Sequence, residues 1–193
     1  MVRLDAVFAC RGQFGQRWEL PVPVSQSVEQ AIIGWSVSPT PVDAGLPEPL
    51  VNVLSNALLR HFCVTYPTNK GRRISFANAR KTEALRPAFD DPYFDWSQKQ
   101  QCLFLSPTEA PPPQLSEKDL NRVRQNKALY EVSDLGVNGV VLPGVDGDVA
   151  GIYTFSPTLQ HQVLDDLSDA CDEAGTHLQF VSEVELIEAL ARQ

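Results

Sequence analysis

The stretch "VNGVVLPGVDGDVAGIYTF", Val137–Phe155, decides how the chain is read. Two apolar runs, "NGVVLP" and "GIYTF", flank a loop with Gly144, Gly147, Asp146 and Asp148. Such a loop has three readings: a phosphate cradle, a calcium loop, or a turn. A phosphate loop needs a lysine after its last glycine, and here no Lys or Arg is near while two aspartates would repel the ligand. A dinucleotide fingerprint needs a helix after the glycines, and "GIYTF" reads as a strand. An EF-hand loop counted from Asp146 places Pro157 at the twelfth position, where a bidentate glutamate is required. What remains is a β-hairpin, with Gly and Asp supplying the backbone angles of its turn.

Outward from the hairpin, Ser156 and Pro157 form a helix start. Leu159, Val163, Leu167, Ala170, Cys171 and Ala174 then make one apolar stripe, closed by Gly175. "HLQFV" reads as a strand. "SEVE", Ser182–Glu185, is a capping box that opens a last helix with Val184, Ile187 and Leu190 inward. With "ALYEVSD" as a further strand, the C-terminal part is β-β-β-α-β-α.

The N-terminal part is less regular. "VRLDAVFAC" and "RWELPVPV" read as strands, the second an edge because of Pro21 and Pro23. "VEQAIIGW" reads as one or two helical turns, and the proline-rich run after Trp35 as loop. A helix from Pro49 buries Leu50, Val53, Leu54, Ala57, Leu58 and His61. It leads to "HFCVTY", a strand stopped at Pro67, then a basic turn Lys70–Arg73 and a short strand "RISFA". "NARKTEALRPAF" reads as a helix ending near Pro87, "DDPYFDWSQ" as irregular, and "QCLFL" as a buried strand. "SPTEAPPPQ", residues 106–114, has three consecutive prolines and reads as an extended linker. Ser116 and Asp119 start a helix through about Lys127.

The fold class predicted is therefore α+β or mixed α/β, with a largely antiparallel or mixed sheet and helices packed on it. Residues 1–105 form an N-terminal α+β subdomain, 106–114 the Pro-rich linker, and 115–193 a C-terminal β-β-β-α-β-α subdomain.

Composition bounds the function. At 193 residues with 43% hydrophobic and 21% charged residues, the chain carries enough apolar surface for a core, so disorder is excluded as its general state. No apolar run approaches the roughly 20 residues of a membrane helix, which predicts no membrane partner. The opening "MVRLDAVFACRG" is broken by Asp5 and does not read as a signal peptide. Cys10, Cys63, Cys102 and Cys171 lack CxxC spacing and read as reduced, buried thiols of a cytoplasmic protein. His61, His161 and His177 show neither HExxH nor finger spacing, so neither metal nor other cofactor is expected. His161 and Asp165, four apart, suit an exposed ion pair. No G-x-S-x-G marks a nucleophile, and no catalytic residue is assigned.

Charge is the informative feature. Residues 1–100 carry 11 basic and 9 acidic groups, and residues 101–193 carry 5 and 15, for a net −8. This balance disfavours nucleic acid as a partner. The helix from Pro157 concentrates Asp165, Asp166, Asp169, Asp172 and Glu173 in its second half, with no Lys or Arg there. Carboxylates at a helix C-terminus oppose the macrodipole at about 0.3–1 kcal/mol each. Asp165–Asp169, Asp169–Asp172 and Asp169–Glu173 also repel at i,i+3 and i,i+4 spacing. That pattern points to a basic protein partner on this face, extended by Asp146 and Asp148, with Tyr93 and Trp96 as aromatic anchors. The basic run Lys70, Arg72, Arg73, Arg80, Lys81 and Arg86, with Phe76 interleaved, reads as a solvated loop that offsets the acidic half, as the complement of an acidic patch, or, against the overall charge, as a track for a nucleic-acid backbone.

The function expected is thus a non-enzymatic binding protein whose acidic C-terminal half docks a basic protein. A bacterial immunity protein that inhibits a toxin is one concrete form. The alternatives are an enzyme whose site assembles from distant residues, such as Cys63 or Cys10 with His177, and an accessory subunit of a larger assembly.

Overall fold

The computed structural model describes residues 2–12, 28–39, 46–71, 73–124, 133–144 and 149–192. In chain order its elements are β1 (Arg3–Arg11), β2 (Glu29–Ser38), α1 (Glu48–Leu59), β3 (Phe62–Lys70), β4 (Arg73–Ala79), α2 (Thr82–Leu85) with a 3-10 turn (Arg86–Ala88), and β5 (Leu103–Pro107). They continue with α3 (Glu117–Arg124), β6 (Gly139–Pro143), β7 (Val149–Thr154), α4 (Pro157–Glu173), β8 (Leu178–Phe180) and α5 (Glu183–Leu190).

The strands form one eight-stranded mixed sheet in the order β4-β3-β5-β6-β7-β2-β1-β8. All neighbours are antiparallel except β1 and β8, which are parallel. This is the α+β class expected from the sequence. Residues 106–114 lead from the end of β5 towards α3, and the sheet is continuous across them. β7 pairs with β2, from Glu29↔Thr154 to Gly34↔Val149, and β8 pairs with β1.

Side chains alternate between two faces, as a pleated sheet requires. One face carries Ala31, Ile33, Trp35, Val64, Leu103, Leu105, Val141 and Ile152, buried under α1 and α4. The other is divided. Phe104, Val140, Leu142 and Tyr153 pack with Leu120 and Val123 of α3, and Cys10, Ile32 and Val149 pack with Leu186 of α5. The result is a helix–sheet–helix sandwich whose central strands are buried on both sides.

β2 departs from the expected helical turns of residues 28–35. Ala31–Trp35 is a continuous apolar run, which fits a buried helix or a buried strand equally well by periodicity. Tertiary packing decides it: Ile32 and Ile33 are β-branched, point to opposite faces and are fully buried. Gly34 is part of the same solution, because a Cβ there would lie 2.8 Å from Leu186 Cδ1. It lets α5 sit close on the strand.

β3 also runs past its expected end at Pro67. The β3–β4 hairpin closes on the pair Lys70↔Arg73 across the two-residue loop 71–72, with Gly71 at φ 74°. Counted back from that pair, Pro67 turns its missing N–H away from β4. On that side β5 pairs only as far as Thr65, so no ladder bond is lost there.

Other departures are local. β4 extends to Ala79, so helix begins only at Thr82 and Asn78 is strand. In α5 the capping box is present, with Glu185 N–H donating to Ser182 Oγ (3.3 Å) and Ser182 N–H to Glu185 Oε2 (2.8 Å). Its buried residue, however, is Leu186, and Val184 is 64% exposed. The strand expected at "RWELPVPV" lies outside the described residues. So does most of "ALYEVSD", of which Ser133 and Asp134 lie in a turn closed by Gly136 N–H to Ser133 C=O. The expected hairpin pairs as β6 and β7, with Gly144 N–H bonded to Val149 C=O (2.8 Å), and its tip lies outside the described residues.

Gly139 tests this packing. A Cβ there would run into the Tyr153 carbonyl oxygen of the paired strand. Gly139→Ala is expected to cost about 1–3 kcal/mol, because neither backbone can give way. A urea midpoint shift with unchanged slope checks it.

Candidate binding face

α4 begins at Ser156, in extended backbone, with Pro157 at its first position. Ser156 makes no side-chain cap. The helix ends where Gly175 takes φ 76°, the left-handed turn expected there. Val163, Leu164, Leu167, Ala170 and Cys171 face the sheet and α1. Burial pushes the Cys171 thiol up to about 12, so it packs as an apolar group. All four cysteines are buried thiols, as expected.

The acidic residues divide into three sets. Asp166, Asp169 and Glu173 recur at i, i+3 and i+7, which puts them on one side of the helix. That side meets the corner where α1 ends and β3 begins. Arg60, the C-cap of α1, reaches across from it. Its Nη1 donates to Asp169 Oδ2 at 2.9 Å and lies 3.5 Å from Asp166 Oδ1, while its Nη2 donates to Glu173 Oε1 at 2.8 Å. His61 Nε2 stands 3.0 Å from Asp166 Oδ2. Asp172 belongs to a second set, with His177 Nδ1 at 2.6 Å. Asp165 is exposed and completes the third.

The unpaired appearance of this helix is therefore only partly real. Arg60 also lies at the C-terminus of α1, where a cation is favoured by that helix's dipole. One guanidinium thus serves two helix ends at once. It does not neutralise the helix: three carboxylates meet one arginine, and Asp165 and Asp172 lie outside its reach. Asp166, 13% exposed at its side chain, has its carboxyl raised above the usual range, chiefly by burial, against the opposing pull of His61 and Arg60.

The remaining predicted residues are placed as follows. Tyr93 is 64% exposed, on the irregular segment before β5. Trp96 is 2% exposed and packs against Phe89, with ring centroids 5.3 Å apart, so it is core and offers no surface to a partner. Asp146 and Asp148 lie outside the described residues. His161 does not pair with Asp165; its Nδ1 is 2.7 Å from the Pro157 carbonyl. His177 is bonded to Asp172 rather than to a thiol. Arg60 was missed because its partners lie more than a hundred residues away, and no local pattern signals that α1 and α4 lie side by side.

A shallow cleft of about 460 Å³ opens beside this face, lined by Val2, Glu48, Pro49, Asn52 and Ala174. Glu48, its one titratable group, is engaged by Arg86 Nη1 at 3.0 Å, and Asn52 by Arg86 Nη2 at 3.0 Å. Among the described residues that line it there is no nucleophile and no base free to act. Among the described residues no three His, Cys, Asp or Glu side chains converge on a metal-sized site. Among the described residues no helix is long and apolar enough to cross a membrane. No protein-family model matches the chain, and no curated protein or solved structure does.

Removing Arg60 leaves Asp166 buried without its guanidinium. Arg60→Ala is expected to cost about 1–2 kcal/mol. Asp166→Asn in that background recovers part of the loss, because no buried charge is then stranded. Urea titrations of the two single variants and the double variant measure this coupling. A second effect follows from the raised carboxyl. The folded state holds the Asp166 proton more tightly than the unfolded chain does, so this group's contribution to stability declines as pH rises through the acidic range. The stability difference between Asp166→Asn and the parent should shift in the variant's favour over that range. A constant difference would show that the carboxyl titrates alike in both states.

Proposed function

We propose that the chain is a non-enzymatic binding protein that docks a basic protein on the α4 face. The observation that carries this reading is the charge surplus that remains after internal pairing. Arg60 serves Asp166, Asp169 and Glu173 together, Asp172 has only His177 as partner, and Asp165 stays exposed on the same helix. A rigid helix packed on a sheet holds these carboxylates in fixed relation, which favours selective recognition over diffuse attraction. Tyr93 and Phe180 are exposed aromatics of the kind that anchor interfaces.

The burial of all four thiols supports binding over cysteine-based catalysis. His61 and His177 each lie against a carboxylate. A toxin-neutralising immunity protein is one form of this function, since such inhibitors work by covering a basic surface with an acidic one. A cytoplasmic location fits the reduced, buried thiols.

The test uses the two carboxylates outside the Arg60 fork, so that the α1–α4 corner stays intact. Asp165→Lys with Asp172→Lys is expected to weaken a basic partner captured from the host by about tenfold or more, with a loss that shrinks at high salt. Calorimetric titration of parent and variant measures it. Equal affinity at low salt places the interface elsewhere.

A further inference from the structure

The basic segment ends in a different place from the acidic one. β4 is the outermost strand of the sheet, seven residues long, and pairs only with β3 among the described residues. Among the described residues nothing pairs with its opposite edge. The closing pair Lys70↔Arg73 fixes which groups point outward: alternation from Arg73 turns the N–H and C=O of Ile74, Phe76 and Asn78 away from β3. Ile74, Ser75, Phe76 and Ala77 are each partly buried, so the strand is held flat against the body by both faces.

The ends of this edge are charged. Lys70 and Arg73 stand at one end, Arg80 and Lys81 at the other, all four exposed. Among the described residues none of them has a side-chain carboxylate partner. This contrasts with Arg60 and Arg86, which are both committed to carboxylates. In a chain of net charge −8, four exposed cations that bracket this edge with no carboxylate partner among the described residues are out of balance with the rest of the surface.

We propose that the outer edge of β4 receives an extended acidic segment of another protein as a ninth strand. Main-chain bonds to Ile74, Phe76 and Asn78 would hold the segment, and the bracketing cations would select acidic residues at its ends. A second copy of this chain is the wrong occupant. Pairing β4 with β4 antiparallel sets the Lys70–Arg73 end against the Arg80–Lys81 end, and parallel pairing sets each cation against itself. Both bring like charges together. The inference is independent of the α4 face, which lies on a helix and meets charge of the opposite sign.

The probe is a synthetic peptide as long as β4, alternating glutamate with valine. Added to the intact chain, it should slow amide exchange at Ile74, Phe76 and Asn78 and leave Ser75 and Ala77, already bonded to β3, unchanged. Arg73→Glu, Arg80→Glu and Lys81→Glu together should weaken the peptide by about tenfold or more without moving the melting temperature appreciably. The same peptide with lysine for glutamate should not bind. Three results would overturn the proposal. One is binding without slowed exchange at those three amides, and another is equal binding of the lysine peptide. The third is no peptide binding, or a single-stranded oligonucleotide binding in its place with the same dependence on the three cations.

Discussion

The pairing of β2 with β7 holds the molecule together. Six residue pairs, Glu29↔Thr154 through Gly34↔Val149, join a strand from the first forty residues to one from the last fifty. Both strands are buried on both faces, so the pairing contributes hydrogen bonds and two layers of apolar contact at once. Everything else is arranged around it. α4 follows β7 directly and lies across one face, and α5 covers the other where Gly34 leaves room. α1 packs beside α4, and that neighbour relation alone brings Arg60 to the carboxylates.

Arg60 shows how a local cost is offset by tertiary structure. Within α4 the acidic run is unfavourable by spacing and by helix dipole. Against α1 it becomes a receptor for a guanidinium that is already well placed at its own helix end. The surplus that remains is what a partner would meet. Asp166 marks the limit of this compensation, since burial raises its carboxyl even with an arginine and a histidine beside it.

Much of the fold was legible where local chemistry is decisive. The start of α4 at Ser156–Pro157, its end at Gly175, the capping box at Ser182 and the β6–β7 pairing depend on neighbours in sequence and stand where the pattern put them. β2 was misread because an apolar run that is buried on both sides carries no period. Pro67 reads as a stop in the sequence because its tolerance depends on how far β5 extends, a fact of pairing. Val184 was assigned inward and Leu186 overlooked, since a short helix offers too few turns to fix its face. The acidic residues of the candidate face were visible. Their partner was not, and Trp96, read as a surface anchor, is core because the segment around it folds under Phe89.

The parallel contact between β1 and β8 has a kinetic meaning. Val7, Phe8 and Ala9 pair with Leu178, Gln179 and Phe180, and Thr176 donates to the Asp5 carbonyl across a separation of 171 residues. Few contacts in a chain of this size are less local. The entropy of closing so long a loop must be spent before this strip of sheet gives any return, which marks it as a slow step in folding. Until it closes, β1 presents Val7–Ala9 as an unprotected edge, so the newly made chain is most exposed to mispairing at a site that is covered in the finished fold.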